Sequence, residues 1–228
     1  MDRPVTTLFM LMSLDGKIST GSSDKRDVDQ DFPLISGIKE GLSQYYDLER
    51  STDLWSFNTG RVQAKIGANT RAFPAKIPVS FVLLDNGHLT EHGVRYFCAK
   101  AKTFVLITQN PEHPAFSVKE EHLHILRQDT LNLPGALAHL KSDFGCERLT
   151  IQSGGTVNGI FLKEKLIDHV DLIIAPVLIG GKNTSSLIDG PSIVSKEELN
   201  RLGILRLQSC EVLTHSYLRL RYDVINSI

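Results

Sequence analysis

Apolar residues along this chain fall into short, nearly unbroken runs separated by stretches of helical spacing or none. Residues 5–14 carry Leu8, Phe9, Met10, Leu11 and Met12 in a row, the signature of a strand buried on both faces, as in sheets covered by helices. Residues 78–85, with Val79, Phe81, Val82, Leu83 and Leu84, and residues 103–108, with Phe104, Val105, Leu106 and Ile107, repeat the pattern. Shorter runs at 53–58, 123–126 and 149–151 predict further strands. Residues 133–144 set Leu137, Leu140 and Phe144 facing inward on a helix that Gly145 should stop. Residues 35–50 predict another helix, anchored by Ile38, Leu42, Tyr45, Tyr46 and Leu48 and capped by Ser36. Residues 20–33, polar and without period, predict a long loop of the kind that covers a site.

After Leu149 and Ile151 the spacing changes to Val157, Ile160 and Phe161, the passage from strand to helix in a βαβ unit. Residues 170–181 form a long apolar run interrupted by Pro176, where a bulge or local break is expected because proline lacks a ladder donor. Residues 204–213 and 216–224 alternate in part and are joined by Thr214-His215, which predicts an antiparallel hairpin completing a mixed sheet. The expected class is therefore α/β, with a central, mostly parallel sheet flanked by helices. At 228 residues the chain fits one large domain spanning 1–228.

Composition narrows the partners. A formal net charge of -1 gives no electrostatic footprint for nucleic acid or an anionic membrane, so a small molecule is the expected partner. Three cysteines, Cys98, Cys146 and Cys210, are widely spaced and odd in number, which suggests neither a disulfide framework nor a thiolate zinc site. The first apolar run is too short to cross a membrane and lacks a signal-like cleavage region, so a cytoplasmic location is expected.

Two glycine turns carry the candidate chemistry. Ser153-Gly154-Gly155-Thr156 joins strand to helix; glycines there permit positive φ and close approach of an anion to the free N–H groups of the helix start. Asn58-Thr59-Gly60-Arg61-Val62 is a second such turn, in which an arginine offers a bidentate contact to phosphate. Asp15, in Ser13-Leu14-Asp15-Gly16-Lys17, reads either as a turn-capping carboxylate or as a substrate contact at a strand's carboxyl end. Gly180-Gly181-Lys182-Asn183 fails the P-loop pattern, no Gly-x-Ser-x-Gly elbow is present, and Gly154-Gly155 does not fit Gly-x-Gly-x-x-Gly. His122 and His124 have no third ligand at a metal-binding spacing, and no metal is expected.

Three segments, Ser13-Leu14-Asp15-Gly16-Lys17-Ile18, Gln152-Ser153-Gly154-Gly155-Thr156-Val157-Asn158-Gly159 with Leu166-Ile167-Asp168, and Ala175-Pro176-Val177-Leu178-Ile179-Gly180-Gly181, resemble in order and spacing the riboflavin-biosynthesis reductase domain. This is the C-terminal half of the bacterial bifunctional deaminase-reductase, similar in fold to dihydrofolate reductase. The resemblance implies a homodimer that binds NADPH and reduces a small polar substrate by hydride transfer to a carbonyl or imine carbon. It implies that Ser153, Gly154, Gly155 and Thr156 hold the pyrophosphate, and that Asn58, Thr59, Gly60, Arg61 and Val62 hold the adenosine side. Arg61 is then the group that meets the 2′-phosphate. Ser13 and Asp15 fall on the substrate side, with Asp15 the candidate catalytic residue. Residues 64–71 lack the family's Asp-Asn-Pro segment, and Gln152 stands where the family often has Glu. The cofactor half thus matches better than the substrate half, which leaves a second reading: a nucleotide-binding module without turnover.

Overall fold

The computed structural model describes residues 2–225; Met1 and residues 226–228 of the predicted domain lie outside the described residues. In chain order the structure runs β1 (Val5–Ser13), α1 (Val28–Asp31), α2 (Ser43–Glu49), β2 (Trp55–Thr59), α3 (Gly60–Lys65), β3 (Ser80–Leu84), α4 (Glu91–Lys100), β4 (Phe104–Thr108), β5 (Leu123–Arg127), α5 (Leu133–Phe144), β6 (Arg148–Ile151), α6 (Gly155–Lys163), β7 (His169–Ala175), β8 (Ile204–Val212) and β9 (Leu218–Ile225). The class is the expected one, α/β and mostly parallel, with antiparallel strands at the C-terminal end.

The chain divides into two compact units. The first comprises residues 2–4 and Asp53–Ser153. Its strands lie in the order β5-β4-β3-β2-β6, and each adjacent pair is parallel. Continuous apolar runs form these strands because both faces are covered. Leu83, Phe104 and Leu106 pack with Val94, Phe97 and Ala101 of α4 and its end in one buried cluster. Phe97 is wholly buried, and burial of such a ring contributes about 2–3 kcal/mol.

The apolar spacing of the sequence did not predict α4. It is a capped helix: Thr90 accepts from the Gly93 N–H, and Glu91 lies in the first turn, both favourable at the positive end of the dipole. α5 occupies Leu133–Phe144 as predicted, with Gly145 closing it at φ 64 in the left-handed region.

The second unit comprises Val5–Thr52 and residues 154–225. Its strand order is β1-β7-β9-β8, with β1 and β7 parallel and β7, β9 and β8 antiparallel. The predicted hairpin is present, with an irregularity between Leu207 and Ser209. β7 ends at Ala175, so Pro176 terminates the strand where a bulge or break was expected.

Two expectations need correction. Residues 20–33 are not loop throughout, because Asp27 accepts from the Asp29 N–H and starts α1. Conversely, residues 35–42 are turns, and helix begins only at Ser43, without Ser36 as its cap. Gly37 takes φ +89, and a Cβ on Gly41 would lie 2.6 Å from the Tyr217 ring. The chain therefore breaks its helical path to seat Tyr217, whose hydroxyl donates to the Ile38 carbonyl at 2.8 Å.

Candidate functional site

In the second unit, β1 delivers a buried Ser13 to a turn completed by Gly16 at φ +77. The Ser13 hydroxyl donates to Asp15 Oδ1 at 2.5 Å and accepts from the Lys17 N–H at 2.9 Å. The Asp15 carboxylate also accepts from the N–H groups of Ile179 at 3.1 Å and Gly180 at 2.6 Å. The Ser13 hydroxyl first, then the Ile179 N–H, hold the Asp15 carboxyl down at about 2. Asp15 is therefore ionised across the neutral range and carries no proton to give there. Its geometry is that of a carboxylate gripping backbone, the turn-capping arrangement.

α6 begins at Gly155, with Gly154 as an extended N-cap at φ -72, ψ 158 and no side chain capping the helix. The expected positive φ is absent at this pair; it occurs at Gly16, Gly180 and Gly181. Packing explains the glycine at 155. A Cβ there would lie 2.2 Å from the Ser186 carbonyl oxygen and 2.4 Å from Asp189 Oδ2, and one on Gly159 would lie 2.1 Å from the Asp189 carbonyl oxygen. The Asp189 N–H donates to the Gly155 carbonyl at 2.9 Å, and Asn158 Nδ2 donates to the Leu187 carbonyl at 2.8 Å. The Asp189 carboxylate, held by Ser186 Oγ at 2.5 Å, lies beside the first turn, where negative charge complements the helix dipole. Thr156 is exposed on that turn.

In the first unit, β2 ends in buried Asn58 and Thr59. Asn58 Oδ1 accepts from the Thr59 N–H at 2.8 Å, and Thr59 Oγ1 accepts from the Val62 N–H at 3.4 Å, capping α3. Arg61 is exposed and Val62 half-buried, while Ser153 is buried. Thr59 and Leu84 are register partners on parallel strands, so Gly60 and Asp85 leave the sheet side by side. A Cβ on Gly60 would lie 2.2 Å from Asp85 Cγ. Here too the glycine makes room for protein.

Asp85 anchors a cluster that the sequence did not announce. Its Oδ1 accepts from the His88 N–H and lies 3.0 Å from His88 Nδ1. Its Oδ2 accepts from the Leu89 N–H at 2.9 Å and from His113 Nε2 at 2.9 Å. Because His113 Nδ1 accepts from the Ala115 N–H at 3.1 Å, the proton sits on Nε2, pointing at Asp85. Burial alone pushes the Asp85 carboxyl up, but the His113 bond and the two backbone N–H groups outweigh it and hold it at about 2. The one available signal was Asp85-Asn86-Gly87, an acidic residue opening a turn at a strand end.

Other candidates are committed elsewhere. His122 Nε2 lies 2.5 Å from the Cys98 carbonyl oxygen, and His124 packs edge-on against Phe144. Among the described residues, no group of three or more His, Cys, Asp or Glu is placed to hold a metal ion. No helix among them is long and apolar enough to cross a membrane.

The predicted residues thus lie in three places: the Asn58–Val62 turn, whose Gly60 abuts Asp85, Ser13 with Asp15 bound to Ile179 and Gly180, and the start of α6, whose Gly155 abuts Ser186 and Asp189. The 2,5-diamino-6-ribosylamino-4(3H)-pyrimidinone 5′-phosphate reductase of Methanothermobacter thermautotrophicus is 29% identical over 210 residues, covering 90% of this chain and 92% of that protein. The enzyme of the same name from Aquifex aeolicus is 23% identical over the full length of both. Among solved structures, RibD of Acinetobacter baumannii superposes with TM-score 0.67 at 18% identity over 98% of this chain, which spans 58% of that longer protein. Enterococcus faecalis dihydrofolate reductase, solved with NADP(H), gives TM-score 0.50 at 12% identity. These two show the fold. The RibD C-terminal domain profile matches residues 4–217, nearly the whole sequence, and the chain belongs to that family.

Proposed function

We propose that this protein is an NADPH-dependent reductase that transfers a hydride to a carbonyl or imine carbon of a phosphorylated ribosylaminopyrimidine. Co-linear similarity to a reductase of that substrate class, over 90% of this chain and 92% of the relative, carries the reading. The residues fit a dinucleotide. α6 starts without a side-chain cap, which leaves its first N–H groups, at Gly155 and Thr156, for an anionic oxygen. Arg61 is exposed in the first turn of α3, and a guanidinium there suits a phosphate better than an ammonium would.

Bound NADPH would supply the hydride, as the chemistry of this step belongs to the cofactor. The chain's own part is to bind and orient. Gly154, Gly155 and Thr156 with Ser153 would hold the pyrophosphate, and Asn58, Thr59, Gly60, Arg61 and Val62 the adenosine side with its 2′-phosphate. Ser13 and Asp15 build the substrate side. The chain would act as one domain in the cytoplasm and as a homodimer. β8 supports the dimer: it is the outer strand of its unit, and it exposes Ile204, Leu205, Leu207 and Val212, an apolar edge of the kind a monomer seldom leaves uncovered.

The test is NADPH and NADH binding to the wild-type protein and to Arg61→Ala, then NADPH oxidation with 2,5-diamino-6-ribosylamino-4(3H)-pyrimidinone 5′-phosphate. Arg61→Ala should weaken NADPH by roughly ten- to a hundredfold, the range for a lost hydrogen bond to a charged group, and leave NADH nearly unchanged. Equal losses for both would remove the 2′-phosphate role. Tight NADPH binding with no turnover would favour the binding module instead.

A further inference from the structure

Residues 177–189 run through the second unit as a strap laced along its length. At its start the Leu14 N–H donates to the Val177 carbonyl at 2.9 Å, and Asp15 accepts from the N–H groups of Ile179 and Gly180. Gly180 and Gly181 then turn with φ +70 and +83, carrying Lys182 and Asn183 outward, where both are exposed. On the return, Lys17 Nζ donates to the Thr184 carbonyl at 3.0 Å. The Ile18 N–H reaches the Ser185 carbonyl at 3.0 Å, and the Leu187 N–H reaches the Gly16 carbonyl at 2.9 Å. The far end lies on α6, where Gly155 and Gly159 lack the Cβ that would collide with Ser186 and Asp189.

One stretch of chain therefore links the Ser13–Lys17 turn to the first turn of α6. Asp15 holds the strap where it turns outward, Lys17 holds it on the return, and both Asp15 oxygens are engaged by the fold. We infer that Asp15 is a positioning residue: its carboxylate fixes the strap, and the strap fixes Gly155 and Asn158 at the start of α6, so that Asp15 governs dinucleotide affinity without touching the dinucleotide. This deepens the reductase reading and rests on it for the ligand, while the mechanical link stands on the hydrogen bonds alone. Turn residues placed on the substrate side thereby act on the cofactor side.

The test pairs amide hydrogen exchange with kinetics for Asp15→Asn, with Ser13→Ala as a second variant that keeps the carboxylate but removes its hydroxyl donor. Asp15→Asn should speed exchange at Ile179 and Gly180, and also at Leu187 and Asp189, which Asp15 does not contact. It should raise the NADPH Kd roughly tenfold, as expected for a lost charge-assisted bond, with the loss falling more on NADPH affinity than on kcat at saturating ligands. Ser13→Ala should shift the same quantities in the same direction by a smaller factor. Unchanged exchange at Leu187 and Asp189, or an unchanged Kd with kcat collapsing, overturns the inference and makes Asp15 a direct participant. If the wild-type protein binds no NADPH, the reductase reading falls, and exchange at Leu187 and Asp189 alone decides whether the clamp exists.

Discussion

Asp85→Asn is the sharpest probe of how the first unit is held. The Asp85 side chain and the His113 ring beside it are both fully enclosed, so solvent screens their interaction little. Holding that carboxyl at about 2 against an ordinary value of 3.8 corresponds to about 2 kcal/mol in favour of the folded, ionised form. Asparagine keeps the shape but turns an amide N–H₂ toward one pair of donors, leaving a buried N–H unpaired at a further cost of about 1 kcal/mol. Near pH 7 the variant should unfold in urea with a stability lower by about 3 kcal/mol.

The pH dependence gives the sign. A folded value below the unfolded one adds stability that is complete above pH 4 or so and is lost as pH falls toward 2. Wild type therefore loses this contribution on acidification and Asp85→Asn does not. The gap between them should shrink to about 1 kcal/mol near pH 2, the part due to the unpaired donor. Urea curves for both proteins across that range read the gap directly. A neutral-pH gap under about 0.5 kcal/mol, the size of an ordinary surface change, would refute the reasoning, as would a gap that does not move with pH.

Thiol chemistry and assembly offer two more checks. Burial pushes the Cys98 thiol up to about 11 and the Cys146 thiol up to about 12; a thiol reagent should leave both unmodified in folded protein and reach them only on unfolding, and fast labelling of Cys146 would contradict the packing. Leu207→Asp on the outer edge of β8 should lower the sedimenting mass from dimer to monomer with the fold intact by circular dichroism, and an unaltered mass would remove β8 as the interface.

Strands were the most readable part of this sequence because their signal is local. Leu8 to Met12 and Phe104 to Ile107 lack a polar face, and only a strand covered on both sides accommodates that. Where the reading failed, the deciding contact was remote. Residues 35–42 carry helix-compatible apolar spacing, yet Tyr217 must lie against Gly41, and nothing near residue 41 announces it. α4 was hidden by Gly93, which spends helix propensity on a close approach, since a Cβ there would meet Asn69 Oδ1 at 2.3 Å. The same holds at the site. Both glycine turns were legible as turns, but their reason lay in Asp85 for Gly60 and in Ser186 and Asp189 for Gly155. Asp85 itself became visible only with His113, a partner 28 residues along the chain.

The division of the chain also fixes an order of events during synthesis. Strands β2, β3, β4 and β5 emerge in the order in which they pair, each finding its predecessor already made. β1 is made before all of them, but its parallel partner in the second unit is β7, which does not exist until the ribosome has passed Ala175. Through that interval an apolar strand, Phe9 and Leu11 included, waits without the strand that will cover it. Such a waiting strand is the kind of surface that chaperones shield and that misassembles when the chain is made faster than it can be protected. The Tyr217 hydroxyl meets the Ile38 carbonyl later still, because residue 217 follows β7 along the chain.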